Sequence, residues 1–466
     1  MKPMILDQRP RVAADLEPGF RPAALENRAF RGAVSQSGGV PLELALERDQ
    51  EQISVYRTSV FAENDARNSL NLAYVERLLK FLIWQRGAWR VWVSGPERIF
   101  EHVRGAYRPG GARAFEAAFF CKVYEKPAFV VEHVQPGTLP AENERGHRVG
   151  GNLDGCRIGF DAGGSDRKVA AVIDGKEVFS CEVVWNPKTA SDPQYHFDGI
   201  DDSIRRASEH LPRIDGIGVS SAGIYIDNRT RVASLFRAVP AELFDAKIKT
   251  LYLDIAKKWA AVPIQVANDG DVTALAGALE LNDQPVLGIA MGTSQAAGYV
   301  NAEGLLTGWL NELAFAPIDY SEQAPLDEWS GDRGGGVSYF SQEAVIRLAP
   351  RAGVELPEGA TPAEKLAQVQ ALFDAGDERP RAIFQTIGVF LGYGLIHYAD
   401  FYHLKHVLLL GRVTSGQGGS LILERANQVL SAEAPQLCEE LHLHLPNEAT
   451  RRVGQAIAAA SLPRIG

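Results

Sequence analysis

The chain has 466 residues, 45% of them hydrophobic and 23% charged, with a formal net charge of −10. That length allows two or three domains with an ample core, and the acidic balance argues against broad binding to nucleic acid or an anionic membrane. Four scattered cysteines without a Cys-x-x-Cys pair, no leader-like apolar start and no apolar run near the ~20 residues of a membrane span predict a cytoplasmic protein with reduced thiols.

Residues 1–62 are rich in Arg, Glu and Pro with little periodicity and read as an irregular N-terminal arm. Over residues 68–86, Leu72, Val75, Leu79, Leu82 and Ile83 recur at helical spacing and Gly87 supplies a stop, which predicts an amphipathic helix. A strand at 89–93, the turn Ser94-Gly95-Pro96 and a second helix to about Tyr107 make residues 63–150 a small α/β domain. The polar stretch 135–152 is the candidate linker.

Strand-like runs follow at 157–160, 168–173 and 182–185, then a helix at 199–210 and a strand at 214–219. A helix is expected over 241–260, a strand at 263–266, a helix at 272–279 and a buried strand at 285–291. Helical patterns dominate from residue 342, interrupted by the apolar strand 407–410.

Several strand ends carry loops with chemical content. Residues 160–168, Phe-Asp-Ala-Gly-Gly-Ser-Asp-Arg-Lys, read as a hairpin whose turn holds an acid, two glycines, a hydroxyl and two cations. Gly163 and Gly164 permit positive φ and remove Cβ atoms, so that backbone N–H groups can approach a phosphate, and Ser165 adds a hydroxyl. Asp161 is placed to hold Mg²⁺ through water. The same pattern is also ordinary hairpin-turn chemistry. Further loops are Ser220-Ser221-Ala222-Gly223, Asn268-Asp269-Gly270-Asp271, Gly292-Thr293-Ser294 and Gly411-Arg412-Val413-Thr414.

Taken in order, these loops resemble those of the ROK family (repressors, open reading frames, sugar kinases) from about Arg157 to the C-terminus. The resemblance implies an α/β, two-lobed, actin-like (ribonuclease H-like) ATPase fold with an additional small N-terminal α/β domain. The lobes would be residues 151–280 and 281–466, the second with a helical C-terminal segment. Asp161-Ala162-Gly163-Gly164-Ser165-Asp166 is similar to the family's Asp-x-Gly-Gly-Thr-Lys; Asp166 replaces the Lys, so a cation must come from Arg167 or Lys168. Asn268-Asp269-Gly270-Asp271 is similar to the catalytic Asn-Asp-Ala-Asn loop, Gly292-Thr293-Ser294 to the second phosphate motif, and Gly411 to Thr414 to the adenosine motif. Gly216 to Gly223 is a looser match to the sugar-pocket segment.

The resemblance therefore implies ATP and Mg²⁺ as cofactors, a sugar-like small-molecule substrate and a homodimer. Its implied general base is Asp269; the alternative is a turn residue capping the helix that follows, a task Asp271 also suits. Asn268, Glu312, Ser221 and Gly223 would bind substrate. Asp161, Gly163, Gly164, Ser165, Lys168, Gly292, Thr293, Ser294, Gly411, Val413 and Thr414 would bind the nucleotide.

Departures from the family pattern point to the substrate. Asn311-Glu312-Leu313-Ala314-Phe315 resembles Gly-Glu-x-Gly-His with Phe315 for the His, and the family's Cys-rich zinc segment is matched only by 331–339, without cysteine and with Val337 in place of its final Glu. No zinc is expected. Losing two groups that grip hydroxyls predicts a modified sugar, amino sugar, deoxysugar or cyclitol rather than plain glucose.

His397, His403 and His406 lack metal-ligand spacing and read as packing residues, and His196 as a satisfied loop residue. Trp309 and Trp329 flank Glu312 and suit either a sugar face or the core. Two other classes compete with a kinase: a sugar-sensing regulator and an actin-like scaffold. The N-terminal block lacks a helix-turn-helix pattern, so no nucleic-acid partner is expected.

Overall fold

A computed structural model of the chain describes residues 9–144, 149–446 and 454–465. The helix Ala23–Ser37 (α1) leads into Val40–Glu47 (β1), which pairs antiparallel with Ile53–Val60 (β2). This corrects the irregular arm expected over 1–62. Leu42, Leu44 and Leu46 recur with period two and are fully buried, a strand pattern masked by the surrounding Arg, Glu and Pro. Leu70–Arg86 (α2), Arg90–Ser94 (β3), Glu97–Tyr107 (α3), Ala114–Tyr124 (α4) and Val130–His133 (β4) complete a sheet of order β2-β1-β3-β4. Gly87 caps α2 as expected, its N–H reaching Ile83 O. The helix is buried almost all round rather than amphipathic, because Glu76 and Lys80 find ionic partners inside the protein. Part of the expected linker 135–152, residues 145–148, lies outside the described residues.

The first lobe holds Cys156–Ala162 (β5), Asp166–Ile173 (β6), Lys176–Val184 (β7), Pro193–Ser208 (α5) and Gly216–Ser221 (β8). The ribbon Ile224–Ile226 (β9) and Arg229–Val232 (β10) follows, then Ala241–Leu243 (α6), Leu251–Lys258 (α7) and Ile264–Asn268 (β11). Its sheet runs β11-β8-β5-β6-β7, parallel across β11, β8 and β5 and antiparallel beyond. The helix expected over 241–260 is split by a wide turn at Phe244–Ile248. Helix α5 starts earlier than expected because Asp192 caps it, accepting from Gln194 N–H.

Asp269–Leu281 (α8) packs on the second sheet, formed by Val286–Met291 (β12), Gln295–Val300 (β13), His406–Leu410 (β14) and His442–His444 (β15) in the order β13-β12-β14-β15. The helices of this lobe are Gln342–Leu348 (α9), Pro362–Asp374 (α10), Arg379–Tyr398 (α11), Gln417–Glu433 (α12) and Pro435–Glu440 (α13). The last helix, Gln455–Ala460 (α14), returns to the first lobe: a Cβ on Gly159 or Gly218 would lie 1.7 or 1.6 Å from the carbonyl oxygen of Ala456 or Ala459. No helix among the described residues is long and apolar enough to cross a membrane.

The β1 to β4 unit and the second lobe share one continuous apolar core, while the first lobe has its own around Ile158, Phe160, Ile217 and Val219. Phe81 stacks on Phe401 at 4.0 Å and Phe20 meets Phe390 edge-on at 4.7 Å. Each fully buried side chain of this size contributes about 1.5–3 kcal/mol, so this packing ties the N-terminal unit to the second lobe. Its junction with the first lobe combines apolar packing of Ile224, Ile226 and Val232 against that core with polar contacts. Gln50 donates to Asp227 at 3.1 and 3.2 Å, and Glu125 pairs with Arg231 and with Lys249.

Candidate active site between the lobes

Sheet register sets the first wall. Asp161 ends β5 beside Ser220 of β8 and opposite Lys168 of β6, and its Oδ1 accepts the Ser220 hydroxyl at 2.7 Å. Burial pushes the Asp161 carboxyl up. Asn268 ends β11 and caps α8: its Oδ1 accepts Gly270 N–H at 2.7 Å and its Nδ2 donates to Gly223 O at 2.7 Å. The capping role is thus filled by Asn268, and the carboxylate of Asp269, the first helical residue, accepts Gly270 N–H at 3.0 Å.

Three acids meet at this helix start. Asp269 is pushed up to about 6, first by burial and then by the charge of Asp161, against the pull of Gly270 N–H and Lys188. Burial lifts Asp271 to about 7, although Asn311 Nδ2 donates to it at 3.2 Å. Glu312 rises to about 8, from burial first and then from Asp269 and Asp271. Like charges in a desolvated cleft disfavour one another's ionisation.

These raised values couple to stability. The folded protein holds protons that the unfolded chain releases, so the stabilisation is complete below the ordinary carboxylate range and is lost as pH rises through about 6 to 8. Thermal midpoints should fall across that window. Glu312→Gln should remove the upper part of the fall in a pH series of melts; an unchanged profile would count against this assignment.

The phosphate-loop expectations need correction in detail. Neither Gly163 nor Gly164 takes a positive φ. A Cβ on Gly163 would lie 2.6 Å from Asp166 O, so close approach within the hairpin is what requires glycine there. Neither expected cation is free: Arg167 donates to Asp202 at 2.9 Å, and Lys168 Nζ lies 3.4 Å from Asp166 Oδ1. Ser165 Oγ donates to Asp166 Oδ2 at 3.1 Å.

The cation that reaches this loop is Lys188, in the turn after β7. Its Nζ lies 3.0 Å from where a Cβ on Gly164 would stand. Burial and Arg237 lower its pKa while Asp269 raises it, which places the ammonium within electrostatic reach of the candidate base. Lys188 lies twenty-four residues beyond Gly164, outside any window a loop motif covers.

Ser221 is fully buried, with Tyr225 OH at 2.6 Å and Tyr252 OH donating to it at 3.1 Å, so it sits behind the site rather than facing a substrate. Gly223 has φ +133° and borders the cleft. Gly292, Thr293 and Ser294 form the exposed turn between β12 and β13, closed by Gly292 N–H to Ser294 O at 3.0 Å. Gly411 has φ +95°, and a Cβ there would lie 2.3 Å from Met291 O, so the 292 and 411 loops touch. Val413 and Thr414 are buried, and Thr414 Oγ1 donates to Gly411 O at 2.9 Å; they shape the turn rather than face a ligand.

The Glu312 loop is held by the N-terminal unit, a brace the sequence did not announce. Trp84 O and Gln85 O at the end of α2 accept the N–H groups of Glu312 and Asn311 at 3.0 and 2.8 Å. Phe315 lies 4.6 Å from the Trp84 ring and 4.8 Å from Trp329, which also meets Phe115 and Phe119. Asp332 accepts from Lys80, Arg77 and Arg113. Of the two flanking tryptophans, Trp329 is therefore part of this brace, whereas Trp309 lines a cavity beside the acids. His397 is buried among aromatics, and His406 bonds His444 and Asp283. His196 lies within α5, its Nε2 3.3 Å from Ala190 O.

No protein-family model and no curated protein matches this sequence. Solved structures match its fold. The ROK hexokinase from Thermus thermophilus is 17% identical, with 66% of this chain and 97% of that chain covered and a TM-score of 0.52. A ROK family glucokinase from Streptomyces griseus, solved with glucose and AMPPNP, is 20% identical, covering 67% of this chain and all of that one at 0.52. A ROK family transcriptional regulator described as a homologue of the E. coli MLC protein is 16% identical, covering 78% and 89% at 0.50. At these identities the likeness is one of fold. The chain has the two-lobed actin-like ATPase fold that the ROK hexokinases and glucokinases share.

Proposed function

We propose that the protein transfers a phosphoryl group from ATP to a hydroxyl of a sugar or sugar-like molecule. The observation that carries this reading is Asp269, a buried carboxylate at a helix start that is coupled electrostatically to Asp161, Lys188 and Glu312. Phosphoryl transfer asks a protein for a base, charge neutralisation and positioning rather than covalent chemistry. At neutral pH Asp269, near 6, is ionised and can take the hydroxyl proton; Glu312, near 8, keeps its proton and can donate to an acceptor oxygen.

Lys188 is read as the cation at the phosphates, in place of the lysine that the hairpin lacks. ATP enters such sites with Mg²⁺, which is typically held by one or two carboxylates together with phosphate oxygens; buried Asp161 fits that part. No group of three or more metal-ligating side chains lies among the described residues. The loops at Gly292 and Gly411, joined by close backbone approach, are read as the second phosphate contact and the adenosine edge. Lys188→Met should raise KM for ATP and lower kcat by about 10²-fold, the scale of one lost electrostatic donor, and steady-state kinetics would show it.

Phe315 packs into the aromatic brace, so Glu312 is the acid left on that side of the acceptor. This supports a modified sugar, amino sugar, deoxysugar or cyclitol over plain glucose. A cytoplasmic homodimer belongs to the same reading. A second reading, a sugar-sensing regulator, is favoured by the burial of Val413 and Thr414 and by the pairing of Lys168 with Asp166. ATP turnover across a panel of sugars and cyclitols separates them: acceptor-dependent turnover supports the kinase, and acceptor binding without turnover supports the regulator.

A further inference from the structure

Beside the acids lies a cavity of about 390 Å³ that three parts of the chain enclose, within the ~300–1,000 Å³ range of small-molecule sites. Asn268 and Asp271, which flank Asp269 on the first turn of α8, form one end. Tyr225 and Gln265 come from the first lobe, and Trp309 and Leu310 from the segment just before Glu312. The β1–β2 turn closes it with Arg48, Asp49, Gln50 and Gln52.

Its lining matches one chemistry. Among the described residues the one cation on it, Arg48, is engaged: it donates to Gln52 Oε1 at 3.0 Å and to Glu144 at 2.6 Å. Asp49 lies 3.7 Å from Lys126, Asp227 accepts from Gln50 and burial lifts Asp271 to about 7, so the described lining offers little uncompensated charge and suits a neutral ligand. Amides and carboxylates offer donors and acceptors in several directions, and Trp309, Tyr124 and Tyr225 offer aromatic surface of the kind that sugar rings cover. Two hairpin tips meet at the rim, where Gln50 Nε2 bonds both carboxylate oxygens of Asp227. Gln50, with φ +56°, is held in the left-handed region that non-glycine residues seldom occupy.

We infer that this cavity binds the non-reacting part of a neutral carbohydrate larger than one hexose, a disaccharide or glycoside, with the N-terminal unit closing the substrate site. The assignment rests on the kinase reading only in that Asp269 marks the reacting end. At the rim the Gln50–Asp227 contact joins the N-terminal unit to the first lobe across the cavity mouth.

Calorimetric binding without nucleotide tests it, using glucose, maltose, cellobiose and diacetylchitobiose on the full chain. At least one disaccharide should bind about tenfold tighter than glucose, the scale of one or two good contacts. Ile226→Trp, which fills the cavity, and Gln50→Ala, which removes the rim contact, should each cut that selectivity ratio about tenfold, with unchanged melting confirming the fold. A wild type without disaccharide preference, or a ratio that neither variant alters, overturns the inference. No ATP is consumed in this measurement, so a failed kinase reading shows separately, in the turnover assay.

Discussion

Asp269→Asn is expected to lower ATP-dependent turnover on the best acceptor by about 10²–10⁴-fold, the range that positioned general acid–base catalysis supplies. Asparagine preserves the shape and can still accept Gly270 N–H, so the start of α8 should survive the change. What it removes is the acceptor for the hydroxyl proton. Acceptor binding should change far less than turnover, a split that separates a lost base from a lost fold. In the wild type kcat/KM should rise as pH passes through about 6, because the base works only when ionised. A mutant indistinguishable from the wild type in coupled ATP assays would end the assignment of Asp269.

The second large effect concerns the brace under Glu312. Burial pushes the Asp332 carboxyl up, but Arg77, Lys80 and Arg113 overcome it and hold the group well below the usual carboxylate range. Lys80 and Arg113 are themselves almost fully buried. Removing one partner of such a cluster leaves buried charge uncompensated, at a cost of about 3–5 kcal/mol. Glu76 and Glu116 remain beside these cations, so Asp332→Ala should fall at the lower end of that range.

The sign with pH is opposite to that of Glu312. A depressed carboxyl stabilises above the ordinary range, and that contribution is lost as pH falls through the folded value. Thermal melts should therefore show the variant several degrees below wild type at neutral pH, with the gap narrowing in acid. A midpoint equal to the wild type would remove Asp332 from the brace. Turnover should drop as well, since Glu312 and Asn311 hang from α2 through two backbone hydrogen bonds. Misplacing a positioning group by about 1 Å can cost ~10²-fold.

The sequence alone determined the loops at the ends of β5, β11 and β12 and the Gly411 turn after β14, together with the order of strands and helices that makes the two-lobed fold. Turn chemistry, capping and period-two or helical spacing act over a few residues, so Asp161, Asn268-Asp269 and Gly411 are legible wherever the rest of the chain goes. Over 40–60 the period-two burial of Leu42, Leu44 and Leu46 decides for strands against a composition rich in Arg, Glu and Pro.

Other features depend on which surfaces meet, and no local pattern carries that. Lys188 reaches Gly164 only because the β7 extension folds back over the hairpin, and Ser221 is lost to the site only because Tyr225 and Tyr252 close on it. Likewise Phe315 became part of a brace because α2 and α4 bring Trp84 and Phe119 to that loop and to Trp329. The tertiary structure decided that the N-terminal unit shares its core with the second lobe, holds Glu312 and closes the neighbouring cavity. Apolar burial between distant segments fixes those relations, and burial is a property of the assembled chain rather than of any window within it.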